Sequence, residues 1–294
     1  MAEAQPGLFI VDKPRGMTSH DVVSRIRRLV GTRRVGHAGT LDPMATGVLI
    51  IGIGQATRLL GHLALSDKAY LATIRLGVTT TTDDAEGDHV SVAEPEMVAA
   101  LSDDSITKAM ATLTGSIDQV PPAISAIKVK GVRSYRRARS GEPVELAARP
   151  VTVSRFELLG RHAADLEVAV CCTSGTYIRA LARDLGTSLE VGGHLTALRR
   201  TRVGGFDLAA AVPLDALDPQ RDVVKPVDAA RSAFPCVEVD GTEAVRIRAG
   251  QRRPIPDRPD GRVAIVDSGG LLTAIADIRD GVAHPIAVFH DPGH

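Results

Sequence analysis

The apolar run Val48 to Ile53, entered through a loop dense with Gly and Pro, constrains this chain more than any other segment. A short run without polar alternation, bounded by turn residues, reads as a fully buried strand. The loop that delivers it, Gly36 to Gly47, reads Gly-His-Ala-Gly-Thr-Leu-Asp-Pro-Met-Ala-Thr-Gly and holds one carboxylate, Asp42. Pro43 drives Asp42 toward extended backbone, and the flanking glycines permit geometries closed to other residues. An acid fixed at the mouth of a buried strand is placed to do chemistry. The plainer alternative is an aspartate that only caps a turn.

Around this centre the pattern alternates between strands and helices. Leu8 to Asp12 reads as a short strand ending at Lys13-Pro14. Thr18-x-x-Asp21 then opens a helix as a capping pair, with Val22, Ile26, Leu29 and Val30 at helical spacing. Tyr70, Ala72, Ile74, Leu76 and Val78 alternate as one face of a strand should. Thr107 to Leu113 predicts a helix, and Gln119-Val120-Pro121-Pro122 opens a basic excursion lasting to about Arg149. Leu166, Val168, Val170 and Cys172 alternate again. Ile178, Leu181 and Leu185 mark a helix that Gly186 would close as a C-terminal cap. From Phe234 onward, Val237 to Val239, Arg262 to Asp267, Leu271 to Ile278 and Ile286 to Phe289 read as short strands, with Ser268-Gly269-Gly270 a hairpin connection. This order predicts an α+β chain with a large, mainly antiparallel sheet and a small barrel or sandwich at the C-terminal end.

Composition narrows the function classes. The 294 residues exceed what one core usually organises, which favours a large domain plus a small one. No apolar run reaches the roughly 18 residues of a membrane span, and the first residues lack a basic-then-apolar signal, so a cytoplasmic protein is expected. Three cysteines, two of them adjacent, do not have zinc-ligand spacing. Net charge is zero, yet five arginines fall between Arg25 and Arg34, and six basic residues without an acid fall between Lys128 and Arg139. Segregated signs leave room for a basic binding face.

The Asp42 loop closely resembles the catalytic motif of the TruB-type tRNA pseudouridine synthases, through His37, Gly39, Thr40, Leu41, Asp42, Pro43, Ala45 and Gly47. Lys13-Pro14 with Gly16, Thr18-Ser19-His20, Gly52-Gly54, Thr57-Arg58, Lys68 and Tyr70 extend the likeness, which runs from about Phe9 to about Arg202. The resemblance implies a pseudouridine-synthase catalytic domain over 7–232 and a PUA-like RNA-binding domain over 233–294. It implies no cofactor and no metal, since the isomerisation needs neither a redox change nor a group donor.

The resemblance also assigns residues. Asp42 would be the nucleophile, attacking either the ribose anomeric carbon or the uracil ring. Tyr70 would stack on the target base and assist proton transfer, and Arg179, in Thr-Tyr-Ile-Arg, would pair with Asp42 and keep it ionised. Tyr177 and Leu198 would line the base pocket, Lys13 and Pro14 would border it, and His37 would contact RNA by stacking. Asp84 matches a family aspartate near the RNA site. Lys128, Lys130, Arg133 and Tyr135 fall in a basic thumb, about 120–150, that would close over an RNA stem-loop by phosphate contacts. The partner implied is tRNA, through its T-arm, bound by a monomer away from membranes; the substrate implied is uridine 55 of the T-loop, flipped out of its stack. Two rivals stand beside this reading: a non-catalytic RNA-folding protein, and an aspartate-dependent hydrolase of small molecules. The first has no use for Asp42, Tyr70, Tyr177 and Arg179 together, and the second does not explain a basic thumb.

Overall fold

A computed structural model describes residues 5–123, 128–129, 132–133 and 146–290. The chain forms two compact units, one of residues 1–66 with 202–294 and one of residues 67–201.

The first unit begins with β1 (Gly7–Lys13), α1 (Ser19–Val30), β2 (Val35–Ala38), β3 (Thr46–Ile53) and a short α2 (Leu60–Leu63). β1 runs antiparallel to β3, with Gly7 opposite Ile53 and Lys13 opposite Gly47. β2 also pairs with β3, placing His37 opposite Ile51. Val48 to Ile51 are wholly buried, as an uninterrupted apolar run requires. Gly52 interrupts that run for a reason of space: a Cβ there would lie 3.0 Å from Leu60 Cγ and Cδ2. The capping pair forms as expected, the Asp21 amide donating to Thr18 Oγ1 at 3.1 Å and the Thr18 amide to Asp21 Oδ2 at 2.8 Å. The buried face of α1 is Val22, Val23 and Ile26. Leu29, expected inward, is 47% exposed, so Val23 takes its place.

The second unit opens with β4 (Lys68–Leu76), the paired β5 (Val78–Thr80) and β6 (His89–Val92), then α3 (Pro95–Ala99), α4 (Asp103–Thr112) and β7 (Gly115–Gln119). Ser102 caps α4 by accepting from the Ser105 amide, so this helix starts earlier than its apolar spacing suggested. A two-rung ladder, β8 (Lys128–Val129) with β9 (Val132–Arg133), precedes β10 (Arg149–His162), β11 (Asp165–Cys172), α5 (Ile178–Ser188) and β12 (Gly193–Val203). Within the unit the strand order is β12-β4-β11-β10-β7, antiparallel from β4 to β7. Gly186 does not cap α5 but sits inside it. A Cβ on Gly186 would lie 2.2 Å from the Gly192 carbonyl carbon and the Gly193 nitrogen, so the residue admits the chain entering β12 rather than ending a helix.

The first unit resumes with β13 (Phe206–Asp207), β14 (Val212–Pro213) parallel to β1, and α6 (Pro226–Ala233). Then come β15 (Cys236–Val239), α7 (Gly241–Arg248), β16 (Arg253–Pro254), β17 (Gly261–Asp267), β18 (Leu272–Arg279) and β19 (Val282–Val288). These strands make a five-stranded sheet ordered β15-β17-β18-β19-β16. The hairpin at residues 268–270 forms, with Gly270 at φ 78° and Asp267 Oδ1 accepting from the Gly269 and Leu271 amides at 3.0 and 2.9 Å. One core joins Leu8, Ile10, Val48 and Ile50 to Ala264, Val266, Leu272, Ile275 and Phe289. A second gathers Val237, Ile247, Val263, Ile265 and Ile278. The α+β class with mainly antiparallel strands and a small C-terminal sheet is what this chain adopts.

Candidate active site

In the first unit, hydrogen bonds fix the residues on both sides of Asp42. The Leu41 amide donates to Ser19 Oγ at 2.9 Å, and Ser19 Oγ donates to the Leu41 carbonyl at 3.2 Å. Ser19 is the first residue of α1, so the capping pair that starts the helix also sets the loop. The Pro43 carbonyl accepts from the Gly16 amide at 2.8 Å and from Lys13 Nζ at 3.4 Å. Lys13 is fully buried at the end of β1, and its ammonium also donates to the Met17 and Pro14 carbonyls at 2.6 and 2.9 Å. An ammonium has three donors and needs acceptors for them once it leaves water. Lys13 is thus a brace for the Asp42 loop, and Pro14, exposed beside it, supplies one of the carbonyls. The Ala45 amide closes the turn on the Asp42 carbonyl at 3.1 Å. Gly39 at φ 81° and Gly47 at φ 100° provide left-handed backbone on either side. Asp42 itself is half-buried. His37, also half-buried, meets the His20 ring edge-on with centroids 5.4 Å apart.

The second unit holds Tyr70, Asp84, Arg179, Tyr177 and Leu198. Tyr70 lies on the buried face of β4 and is 7% exposed. Leu198, on β12, is 9% exposed. Arg179, in the first turn of α5, is 6% exposed and donates to the Thr82 carbonyl at 2.8 Å, with Asp84 Oδ2 3.3 Å away. Asp84 is held in turn: Oδ1 accepts from the Glu86 amide at 3.0 Å and from Thr82 Oγ1, and its carbonyl accepts from Thr80 Oγ1 at 2.7 Å. The Ala85 amide and the Leu195 carbonyl, 2.9 Å apart, tie this turn to β12. A second pair, Arg183 with Asp83 at 2.9 Å, lies alongside. Burial raises the Asp83 carboxyl above its ordinary range, against the pull of Arg183. A guanidinium sealed in this way is costly unless its donors are met, and Asp84 and the Thr82 carbonyl orient Arg179 in the first turn of α5.

Tyr177 precedes α5, and its backbone is clamped by one buried side chain. The Tyr177 amide donates to Gln119 Oε1 at 2.8 Å, and Gln119 Nε2 donates to the Tyr177 carbonyl at 3.2 Å. Lys128 faces Arg133 in the backbone ladder, while Lys130 and Tyr135 lie outside the described residues. Sequence reasoning missed Ser19 and Gln119 as supports of the site and gave Lys68 and Arg200 no role. Lys68 and Arg200 were detectable, because each shares a strand face with an expected pocket residue, two positions from Tyr70 and from Leu198.

Comparison with known proteins adds to this geometry. Residues 27–178 match the family described as TruB family pseudouridylate synthase, N-terminal domain, and residues 179–230 match the tRNA pseudouridylate synthase B C-terminal domain. The tRNA pseudouridine synthase B of Streptomyces avermitilis is 53% identical, over 96% of this chain and 97% of that protein. The same-named protein of Thermobifida fusca is 52% identical, over 96% and 98%. Among solved structures, the Cbf5-Nop10-Gar1 complex matches with a TM-score of 0.73 and 25% identity, covering 98% of this chain and 85% of that one. The pseudouridine-synthase fold with its small C-terminal β module is therefore the fold of this chain. A half-buried carboxylate on a braced loop, and relatives this similar along nearly their whole length, place the chain in the TruB family of tRNA pseudouridine synthases, isomerases that modify uridine in tRNA.

Proposed function

We propose that this isomerase converts uridine 55 of the tRNA T-loop to pseudouridine, with Asp42 as its nucleophile. The observation that carries the proposal is the bracing of Asp42: both neighbours in sequence are fixed by side chains, Leu41 by Ser19 and Pro43 by Lys13, while Asp42 keeps partial exposure. A carboxylate held in place divides a difficult bond cleavage into easier steps through a covalent or ion-pair intermediate. Arg179, oriented by Asp84, is the cationic residue of the reaction. Tyr70 stacks on the flipped uracil and takes part in proton transfer, with Tyr177 and Leu198 beside the base. A ring that replaces lost base stacking is worth about 1–3 kcal/mol.

His37 stacks on displaced RNA, and Lys128, Lys130, Arg133 and Tyr135 of the thumb engage the backbone of the T-arm. Residues 7–232 form the catalytic domain and residues 233–294 a PUA-like module that adds RNA contacts, the protein working as a monomer in the cytoplasm. Pseudouridine mapping on unmodified tRNA transcripts tests the substrate assignment. Conversion at position 55 ahead of every other uridine is expected. Conversion spread over several uridines, or centred outside the T-loop, contradicts it.

A further inference from the structure

A second buried guanidinium, Arg200, is the largest side chain of the core and is 1% exposed. It lies in the second unit, on β12, the strand next to β4. Burial pulls the Arg200 guanidinium down from its ordinary range, and the charge and side-chain hydrogen bonding of the Tyr70 phenol beside it oppose that pull. Arg200 shares a strand face with Leu198, two residues away, and Tyr70 shares one with Lys68. Thr196 Oγ1 donates to the Thr73 carbonyl at 3.2 Å, a bond that fixes how far β12 has advanced along β4.

Charged and titratable groups lie on β4 itself, on its neighbour β11 and on α5 of the same unit. On β4, Lys68 is 6% exposed, and burial together with Arg200 pushes its ammonium down to about 8. On β11, Val170 faces Tyr70 and Cys172 faces Lys68, and burial raises the Cys172 thiol to about 11, leaving it neutral. On α5, Arg179 is engaged by Asp84 and Thr82. Asp67, exposed at the start of β4, draws Lys68 only weakly. Arg200 is thus a buried cation beside the phenol, and a guanidinium holds its proton more firmly than an ammonium does.

We infer that Arg200 is a positioning residue that holds the Tyr70 hydroxyl and stabilises negative charge on its oxygen when the phenol gives up its proton. A nearby cation and a donated hydrogen bond both favour the ionised form of an acid. A phenol so placed is a stronger candidate for removing the uracil proton than a phenol in an apolar wall. The inference rests on the reading of Tyr70 as the base-facing residue, and it fails separately from that reading because its first test needs neither RNA nor turnover.

The chain has three tyrosines and no tryptophan, so tyrosinate absorbance can be followed directly. Titrating the wild-type protein and Tyr70→Phe gives the ionisation of Tyr70 by difference. We expect Tyr70 to ionise at least about one pH unit below the ordinary tyrosine value near 10. Arg200→Met is expected to move that ionisation up and to slow single-turnover pseudouridine formation about 100-fold, the order contributed by a positioned acid or base. Its tRNA affinity should stay within about threefold, and its pH–rate profile should shift upward, while Arg200→Lys restores part of the rate. A Tyr70 ionising at or above about 10 in the wild-type protein overturns the inference even where Arg200→Met does not fold, and so does an Arg200→Met profile superimposable on the wild type.

Discussion

Lys68 shows how one buried cation makes stability depend on pH. Its ammonium falls from 10.5 in the unfolded chain to about 8 in the fold, chiefly through burial. Between those values the unfolded chain binds a proton that the folded chain does not, so stability rises with pH across that window. Below about 8 both states are protonated, and the fold carries the full cost of a buried charge. Wild-type protein should therefore gain about 2–3 kcal/mol more than Lys68→Met between the two ends of the window, read from denaturant midpoints. Parallel curves for the two proteins would contradict the burial argument. At this scale, Asp42 was legible because its loop combines Pro43, left-handed glycines and a buried strand, all local features. The brace on it was not: a lysine before a proline reads as surface, and nothing local says that Lys13 is fully buried among carbonyls. Arg200 offered only the strand face it shares with Leu198, a weaker signal because charged residues are ordinarily exposed.

Elements with a local signal were read correctly, as the Thr18–Asp21 cap of α1 and the unbroken β3 show. α7 went unread because only Ala244 and Ile247 of its eight residues are buried, too few to mark a helical face. Gly186 illustrates the limit differently. Its place after Leu185 suits a cap, but the deciding contact is with Gly192 and Gly193 across the turn into β12. This gives a test whose sign separates two effects. In an open helix, Gly→Ala stabilises by about 1 kcal/mol. Here the new methyl meets backbone at 2.2 Å, which cannot yield as a flexible side chain can. Gly186→Ala should lower stability by about 2 kcal/mol or more, measured by urea unfolding. An unchanged or raised midpoint would show that the helix-to-strand turn is looser than this contact implies.

Across the whole molecule, the grouping of residues 1–66 with 202–294 had no counterpart in the sequence. Leu8 and Ile10 share a core with Leu272 and Ile275, and hydrophobic pattern identifies buried positions without naming their distant partners. The C-terminal strands therefore share the core that covers β3, the strand carrying the Asp42 loop. Family resemblance supplies the chemistry expected of this chain, because eight residues of one loop carry it. The measurement that bears most directly on that chemistry is single-turnover pseudouridine formation by Asp42→Asn on unmodified tRNA, beside its tRNA affinity. Affinity within about threefold of wild type with a rate lower by about four or more orders of magnitude is the expected result, since the amide keeps the shape and loses the nucleophile. Turnover within about tenfold of the wild-type rate would remove Asp42 from the reaction and contradict the account.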